Sequence, residues 1–475
     1  MLWVPSDMAN ALNLALDRRA PTTLAEQIRS GIIAAIESGA LRPGARLPSW
    51  RDLAAQLGVA RGTVMTAYER LTDEQWIVSQ RPGGTRVAKY PARKPIQSTS
   101  SDKVSSSALY REVVSGPAIF QMGIPASDCF PTTLFARIRA HAARAEAQAP
   151  AVYPDPRGEP ELRRHIAAHL AVARGIQSTP SHVFITSGFS GALGLVLSVL
   201  RVHGKTAWME NPGFFLTRNA LDLAQLTHVP IPVDQDGVDV SYGIEHAGNA
   251  ALALVTPGQQ AQLGGTLVLP RRIQLLEWAR RTKAWIIEDD YLGELQLGRR
   301  AAPALATLDT AGRVIHIGSF SKTVSPTLRL GFVVVPSELV QQFAETAMCL
   351  APAPGPAVQH AISEFMGEGH YMRHLRRMKR VYTARSEALQ AALAARGYTT
   401  DVGGLAVLLR LPEGVDDLVI GHEAREEGLA PGALSSWFSP LGAKQPGLLL
   451  GVATATEERI DDACDRLHRL IVKFS

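Results

Sequence analysis

The stretch from Arg313 to Gly331 reads RVIHIGSFSKTVSPTLRLG and joins a short apolar run to a serine-rich loop. The run, VIHI, predicts a buried strand, because it is short and apolar and small polar residues follow it at once. The loop carries one lysine, Lys322, and one arginine, Arg329, seven residues further on. A Ser-Lys-Thr sequence is by itself typical of a surface loop. A chemical role for Lys322 therefore depends on what the rest of the chain predicts.

Length and composition predict an ordinary globular protein with at least two domains. The chain has 475 residues, of which 46% are hydrophobic and 20% are charged, and it is long for a single domain. No apolar run approaches the roughly 20 residues that cross a bilayer, and the N-terminus lacks the pattern of a signal peptide. We therefore expect a cytoplasmic protein with no membrane contact.

The three cysteines, Cys129, Cys349 and Cys464, are far apart in the sequence. They follow neither the spacing of a metal site nor that of a disulfide framework. This pattern predicts buried thiols and no metal.

Positive charge is concentrated at the N-terminal end of the chain. Residues 1–94 carry 13 Lys and Arg against 8 Asp and Glu, whereas the whole chain carries 49 against 44, so the remainder carries 36 of each sign. Such asymmetry is typical of a module that binds a polyanion, attached to a neutral body.

Residues 20–88 predict three helices followed by a hairpin. The segment Thr23–Leu41 has apolar residues at helical spacing. A second helix begins after Ser49, a residue type that caps helix N-termini, and ends at Gly58, and a third begins near Ala60. The next segment, WIVSQRPGGTRVAKY, has two β-rich runs around Arg-Pro-Gly-Gly. This order predicts a winged helix-turn-helix.

The predicted third helix and the predicted wing both carry polar side chains suited to DNA. The side chains near the N-terminal end of the helix, where they can meet base edges in a major groove, are Arg61, Thr63 and Thr66. The residues assigned to the wing are Arg81, Gly84 and Arg86. The alternative is a helical packing module whose arginines are only solvated; the order of the elements favours DNA binding.

The segment LPSWRDLAAQLGVARGTVMTAYERL resembles the DNA-binding domain of the GntR family of bacterial regulators. Its last residues, AYERL, are similar to the MocR group, in which this domain is fused to an aminotransferase-like body. The resemblance implies that the partner is double-stranded operator DNA. The residues that it implies as DNA contacts are Ser49, Arg51, Arg61, Thr63, Gly84 and Arg86.

Residues 89–117 predict a linker between two domains. They are rich in serine, proline and charge and contain few large apolar residues. A long loop within one domain is the alternative, but uninterrupted loops of this length are uncommon in compact domains.

After the linker, helix-like and strand-like segments alternate, which predicts an α/β fold with a mostly parallel central sheet covered on both faces. The polar clusters TSGFS, EDDY and GSFSK each follow an apolar, strand-like run. Because ligands gather at the carboxyl ends of such strands, we expect the three clusters to meet in one crevice.

The three clusters together suit pyridoxal 5′-phosphate. TSGFSGAL offers small residues and backbone N–H groups at the start of a helix, a setting for phosphate. EDDY brings carboxylates that can hold a pyridinium proton, Lys322 can form an imine, and Arg329 can clamp a phosphate. A nucleotide-phosphate loop is the alternative for TSG, but no G-x-x-x-x-G-K-[ST] or G-x-G-x-x-G accompanies it. For EDDY the alternative is a solvated turn.

Residues 118–475 resemble the fold-type I aminotransferases, in the version found in the MocR group. The family motifs stand in order as YPDPRGEPELR, TSGFSGAL, MENPGFF, EDDYLGEL and GSFSKTVSPTLRLGFVVVP. The resemblance implies an aminotransferase-like effector domain that binds pyridoxal 5′-phosphate through a Schiff base on Lys322. Asp289 would then pair with the pyridine nitrogen, Tyr291 would contact the phenolic oxygen, and Phe214 would lie over the ring.

The same resemblance implies a phosphate site and a homodimer. The residues that would hold the phosphate are Gly188, Phe189, Ser190, Ser319 and Arg329. Tyr153 would reach the phosphate from a second subunit, so that the site is complete only in a dimer.

Two positions depart from the family pattern. The usual TP-x-HQ-x-P-x-G appears as TPGQQAQLG, from Thr256 to Gly264, which leaves open whether Gln259 or Gln260 contacts the ring. Near the C-terminus, where aminotransferases of this fold place an arginine for the substrate carboxylate, PGLLLGVA puts Leu449. The second departure argues against a full transamination cycle.

The sequence thus predicts a transcriptional regulator that binds operator DNA and senses a small amine or amino acid by imine exchange at Lys322. The alternative is an active aminotransferase with an accessory DNA-binding domain. A regulator that binds its ligand without cofactor would require a structural role for Lys322. Near the expected entrance, Arg157 either helps to bind an acidic ligand or forms a surface salt bridge.

Overall fold

A computed structural model of the chain describes residues 14–80, 84–89, 116–297, 302–440 and 444–474. The chain divides into two compact units, Met1–Lys103 and Val104–Ser475. Most of the predicted linker, as well as Arg81 of the predicted wing, lies outside the described residues.

The N-terminal unit contains the predicted three helices and hairpin. Its elements are α1 (Leu24–Glu37), α2 (Trp50–Leu57), α3 (Arg61–Asp73) and the antiparallel pair β1 (Ile77–Gln80) and β2 (Gly84–Val87). Ser49 caps α2 by accepting a hydrogen bond from the Asp52 N–H, and Gly58 ends that helix with a positive φ of 63°. Glycine suits this position because other residues are strained in the left-handed region.

The segment before α2 adds to the wing of the N-terminal unit. Leu47 N–H donates to the Thr85 carbonyl, and Val87 N–H donates to the Ala45 carbonyl, both at 2.9 Å. This segment therefore pairs with β2 as a short third strand of the wing, and Arg46 lies opposite Arg86.

The second unit is built around an eight-stranded sheet. Its strand order is β3-β10-β9-β8-β7-β4-β5-β6. The strands are β3 (Val183–Thr186), β4 (Thr206–Asn211), β5 (Thr227–Asp234), β6 (Gly237–Val238), β7 (Leu252–Val255), β8 (Trp285–Asp289), β9 (Val314–Ser319) and β10 (Gly331–Val334). The four pairings among β5, β4, β7, β8 and β9 are parallel. Strand β10 is antiparallel to both β9 and β3, and β6 is antiparallel to β5. The prediction of a mostly parallel sheet is confirmed.

Helices cover both faces of this sheet, so neighbouring residues of one strand are both buried. Ile287 packs in a cluster with Val196 and Phe343, whereas Ile286 packs in another with Trp278. This explains why the central strands are apolar without alternation. The helices of this part are α4 (Thr132–Gln148), α5 (Pro160–Ala173), α6 (Gly188–Leu200), α7 (Phe215–Leu223), α8 (Val240–Ala247), α9 (Leu269–Thr282), α10 (Val340–Leu350) and α11 (Pro356–Gly367).

A second, antiparallel sheet of four strands lies in the C-terminal part. Its order is β11-β12-β14-β13. Its elements are β11 (Thr400–Gly403), β12 (Ala406–Arg410), β13 (Gly432–Ala433) and β14 (Gly447–Gly451), with helices α12 (His370–Ala394), α13 (Asp417–Glu426) and α14 (Glu457–Phe474). The sequence analysis did not predict this sheet.

Two further expectations concern the cysteines and the membrane. Cys129 and Cys464 are buried, as predicted, but Cys349 is exposed near the end of α10. The prediction was wrong for Cys349 because α10 turns only one side to the core, at Phe343 and Ala347. Within the described ranges, no helix is long and apolar enough to span a bilayer.

Candidate cofactor site and DNA-binding surface

The ends of three strands bring the predicted cofactor residues together. β8 and β9 are parallel neighbours, with Asp289 opposite Ile317, so both strands end at the same edge of the sheet. Lys322 follows β9 by three residues, and α6 begins at Gly188, immediately after β3. This is the edge at which ligands bind in sheets of this kind.

Lys322 lies half-buried at this edge. Its Nζ donates a hydrogen bond to the Gly123 carbonyl at 2.7 Å. Burial lowers the pKa of Lys322 to about 8, and the negative charge of Asp289 opposes this change. A larger fraction of the amine is therefore neutral near pH 7 than for a surface lysine, and the neutral amine is the form that attacks a carbonyl carbon.

The three acids of EDDY have different environments. Glu288 is fully buried and accepts the backbone N–H of Leu305 at 2.6 Å. Asp290 forms an ion pair with Arg174, at 2.7 Å between Oδ2 and Nε. Both groups thus hold the fold together, and the alternative of a solvated turn is wrong. Asp289 is the acid placed beside Lys322.

Asp289 can hold a cation at this edge, because a cation would favour its ionised form. Burial, together with the neighbouring Asp290 and Glu210, raises the pKa of Asp289 to about 8, although Lys322 acts in the opposite direction. A buried carboxylate in such an acidic neighbourhood is stabilised by an added positive charge. A protonated pyridine nitrogen supplies this charge.

Tyr291 carries a buried hydroxyl for which the described residues provide no hydrogen-bond partner. The same is true of the Gln259 Oε1. Both lie near Gly404, where a Cβ would stand 3.4 Å from the Tyr291 Oη and 3.9 Å from the Gln259 Cδ. Buried polar atoms without partners are uncommon in folded proteins. A hydroxyl in this position fits the phenolic oxygen of the cofactor, in line with the predicted role of Tyr291.

Gln260, the other glutamine of the departing motif, is bonded within the protein. Its Nε2 donates to the Pro212 carbonyl at 2.9 Å, and its Oε1 accepts the Leu263 N–H at 2.7 Å. It therefore ties the loop after β7 to the turn that carries Phe214.

Phe214 is half-buried and stacks on an aromatic side chain that the sequence analysis did not single out. Its ring lies 5.8 Å from that of Trp437, at an interplanar angle of 25°. Trp437 belongs to the connection between β13 and β14, far away in the sequence. No local signal reveals this pair.

The predicted phosphate residues surround the N-terminus of α6. Gly188, Phe189 and Ser190 are the first three residues of that helix, and the Arg329 guanidinium donates to the Ser187 carbonyl at 3.2 Å. A Cβ at Gly188 would stand 3.8 Å from this guanidinium. Since the start of a helix and an arginine both attract anions, this corner fits a phosphate. The Phe189 side chain packs on the core, so its backbone N–H is the group that would face a phosphate.

The remaining cofactor residues lie at the end of β9 and on the surface. Ser319 ends β9 and is half-buried. Tyr153 is fully exposed in the single chain. Arg157 pairs with Asp155, at 2.7 Å between Nη2 and Oδ2, so the salt-bridge alternative describes its environment.

Leu449 is fully buried in β14, within an apolar cluster that also contains Leu408 and Phe438. Leu449, which stands where the resemblance to aminotransferases implies an arginine, thus belongs to a buried apolar cluster.

Four of the predicted DNA-binding residues lie in, or directly before, the helices α2 and α3. Arg51 and Arg61 are exposed, and the Arg51 guanidinium lies 4.7 Å from the centre of the Trp50 ring. Thr63 is half-buried in α3. Ser49 caps α2, so its hydroxyl already has a structural partner.

The wing adds an arginine that the sequence analysis missed. Gly84 opens β2 with a φ of 78°, and Arg86 donates to the Gly44 carbonyl at 3.0 Å. The exposed Arg46 places its Nε 3.4 Å from where a Cβ of Gly84 would stand. Only the pairing of this segment with β2 brings the two together.

Each of the two units matches a known protein family. A model for bacterial regulatory proteins of the gntR family matches residues 24–87, and the model for aminotransferase class I and II matches residues 126–424. The chain is 33% identical over 458 residues to the probable rhizopine catabolism regulatory protein MocR of Rhizobium meliloti, covering 93% of this chain and 92% of that protein. The chain belongs to the MocR group of GntR-family regulators.

Further relatives of this MocR-type regulator are also transcriptional regulators. The pyridoxine biosynthesis regulator PdxR of Corynebacterium glutamicum is 30% identical, covering 94% of this chain and 96% of that protein. Among solved structures, the α-aminoadipate aminotransferase LysN of Thermus thermophilus, complexed with N-(5′-phosphopyridoxyl)-L-leucine, is 27% identical with a TM-score of 0.70. That match covers 78% of this chain and 95% of LysN.

The predicted family and fold class are therefore confirmed. The MocR-type regulator combines a gntR DNA-binding domain with an aminotransferase domain for pyridoxal 5′-phosphate. The prediction of this cofactor is confirmed as well.

Proposed function

We propose that this regulator changes its affinity for operator DNA when a small amine or amino acid displaces Lys322 by imine exchange. The observation that carries the proposal is the half-buried Lys322 amine, which lies beside Asp289 at the edge of the sheet. When bound, pyridoxal 5′-phosphate supplies an aldehyde carbon that either Lys322 or an incoming amine can hold as an imine.

In this proposal each neighbouring residue has a definite task. Asp289 keeps a proton on the pyridine nitrogen, and the Tyr291 hydroxyl donates to the phenolic oxygen. Phe214 covers the ring, supported by Trp437. The phosphate is held by Ser319, Arg329 and the first N–H groups of α6, where the helix end and the arginine meet.

We propose that the start of α3 enters a major groove of operator DNA, with Arg61 and Thr63 near base edges. Arg51 contacts the backbone from α2, and Arg86 and Arg46 contact it from the wing. Exposed arginines on adjacent elements support this assignment. A protein that acts on chromosomal DNA works in the cytoplasm.

We propose that the working form is a homodimer in which Tyr153 reaches the cofactor phosphate of the other copy. The Tyr153 side chain is 101% exposed, and the neighbouring Val152 is 75% exposed. Two adjacent apolar or aromatic side chains in water are typical of a contact surface.

The second candidate function is amino-group transfer. Lys322, Asp289 and Tyr291 favour neither function, because sensing and turnover use the same groups. The intact winged helix and the buried Leu449 favour the regulator.

The test is a titration of operator DNA with the loaded protein, with and without an amine that shifts its absorbance spectrum. We expect the amine to change the DNA affinity by about 5-fold to 150-fold, the usual range of allosteric coupling. Amino-group transfer to a keto acid is measured in parallel. Steady transfer together with unchanged DNA affinity would support the enzyme instead.

Asp289→Ala should weaken cofactor retention and change the absorbance spectrum, because the pyridine nitrogen loses its anionic partner. Asp289→Asn keeps the size of the side chain and should behave like the alanine variant, since the charge is what matters. The measurement is cofactor content after dialysis, together with the spectrum. Unchanged retention in both variants would mean that another group holds the nitrogen.

A further inference from the structure

We propose that the effector of this regulator is a primary amine with an apolar body and no carboxylate next to its amino group. This inference rests on imine exchange at Lys322 and narrows the class of ligand that takes part in it. It is drawn from the surface that faces Lys322 across Gly123.

We call this surface the apolar wall and define it by its residues. Its half-buried members pack on a fully or almost fully buried cluster of the C-terminal sheet. The half-buried members are Met122, Leu263 and Trp437, and the cluster contains Ala406, Leu408, Leu434, Phe438 and Leu449. Every side chain of the wall is apolar, apart from the single N–H of the Trp437 indole.

The wall is linked directly to the reactive amine. The Lys322 Nζ donates to the Gly123 carbonyl, and Met122 is the preceding residue. A Cβ at Gly432 would stand 3.4 Å from the Met122 Sδ and 3.6 Å from the Leu449 Cβ. Met122, the neighbour of Gly123, and Leu449 therefore both lie close to Gly432.

The other end of the wall touches the predicted cover of the cofactor ring. Trp437 stacks on Phe214. The wall thus extends from the amine of Lys322 to the aromatic cover, a span in which the body of a bound amine would lie. An apolar body gains free energy there by removing apolar surface from water.

Among the residues that the structure describes, a carboxylate at this place would lack a free counter-charge. Arg174 is paired with Asp290, Arg157 with Asp155, and Arg329 lies at the start of α6. Burial raises the pKa values of the nearby acids Asp289 and Glu210, and neither acid supplies a positive charge. An unpaired carboxylate buried against apolar side chains is strongly disfavoured.

One cation does adjoin the wall and defines the competing possibility. Arg218, in α7, donates to the Trp437 carbonyl at 3.0 Å. This hydrogen bond fixes the guanidinium on the backbone of the wall. Arg218 could therefore bind the carboxylate of an acidic ligand, whereas we propose a ligand without a carboxylate. Compounds with and without the carboxylate distinguish these two possibilities.

The experiment compares matched pairs of compounds that differ only by the carboxylate. The pairs are 2-phenylethylamine with phenylalanine and 3-methylbutylamine with leucine, with both enantiomers of each amino acid. Each compound is titrated into the full-length, cofactor-loaded protein, and the spectral shift and the operator affinity are both recorded. We expect each amine to reach its half-maximal effect at a concentration about tenfold or more below that of its amino acid.

Leu449→Arg supplies the missing charge and should reverse this preference. Its folding is checked by the unchanged absorbance of the loaded protein and by operator binding without amine. We expect phenylalanine to gain about tenfold or more relative to 2-phenylethylamine in this variant. If the variant does not fold, the comparison of each amine with its amino acid on the wild-type protein still tests the inference.

Equal or stronger effects of the amino acids on the wild type would overturn the inference but leave imine exchange intact. If the Arg218→Ala variant then lost its response to the amino acids, Arg218 would be identified as the residue that binds the carboxylate. Failure of all compounds, with the cofactor bound, would count against imine sensing itself and so against both proposals.

Discussion

Lys322→Ala should abolish the long-wavelength absorbance of the loaded protein and leave operator binding indifferent to amines. The reason is that Lys322 supplies the only amine that we assign to the cofactor. Its Nζ donates a hydrogen bond to the Gly123 carbonyl at the predicted edge of the sheet. The N-terminal unit is a separate compact unit, so DNA binding itself should persist. The measurements are the absorbance spectrum and an operator titration with and without amine.

Lys205→Ala provides the matched control for this prediction. Lys205 is exposed, immediately before β4, so the variant should keep both the absorbance and the response to amine. Borohydride reduction followed by mass spectrometry should place the cofactor on Lys322 in the wild type. An adduct on another lysine would contradict the assignment of the site.

Arg61→Ala should reduce specific operator affinity by roughly tenfold or more while leaving the cofactor spectrum unchanged. Arg61 is the first residue of α3 and is exposed, as expected for a side chain that reaches base edges. Such a contact contributes about 1–3 kcal/mol to discrimination between bases. The measurement is a pair of titrations, one with operator and one with unrelated DNA of the same length.

Arg70→Ala is the matched control, because it removes the same charge from the same helix. Arg70 lies in the last turn of α3 and pairs with Glu26 at 3.2 Å. Its loss should affect operator and unrelated DNA equally, and only to the extent that total charge matters. If both variants weakened both DNAs to the same degree, Arg61 would act through charge alone.

Both predictions depend on coupling between the cofactor site and the DNA-binding surface. An effector changes DNA affinity only if it binds one state of the protein better than another, and the effect is reciprocal. Operator DNA should therefore change the affinity for the amine by the same factor in the wild type. Arg61→Ala should retain this factor at DNA concentrations that saturate the variant.

Much of this protein was predictable from its sequence, because the deciding signals are local. Ser49 and Gly58 mark the ends of a helix through a hydroxyl acceptor and a positive φ, both properties of the residue itself. The run VIHI indicated a strand because three of its four residues are apolar and β-branched, and β9 contains all four. Parallel pairing of β8 and β9 brings EDDY and GSFSK to one edge of the sheet. TSGFS reaches the same edge because β3 and β9 both pair antiparallel with β10.

Other features depend on contacts between segments that are distant along the chain. Glu288 and Asp290 look equivalent to Asp289 in EDDY, and only Leu305 and Arg174 reveal that they hold the fold together. The stacking of Trp437 on Phe214 joins the connection between β13 and β14 to the connection that follows β4.

The sequence by itself thus determined the family and the cofactor, and it predicted Lys322 as the lysine that would hold the cofactor, because these follow from residue types at fixed spacing. The tertiary structure decided which acid faces Lys322, that Gln260 binds the Pro212 carbonyl rather than a ligand, and that Leu449 belongs to an apolar wall. The physical reason is that burial, pairing and electrostatic environment belong to the neighbours that a side chain acquires on folding, and a strand pattern does not specify those neighbours.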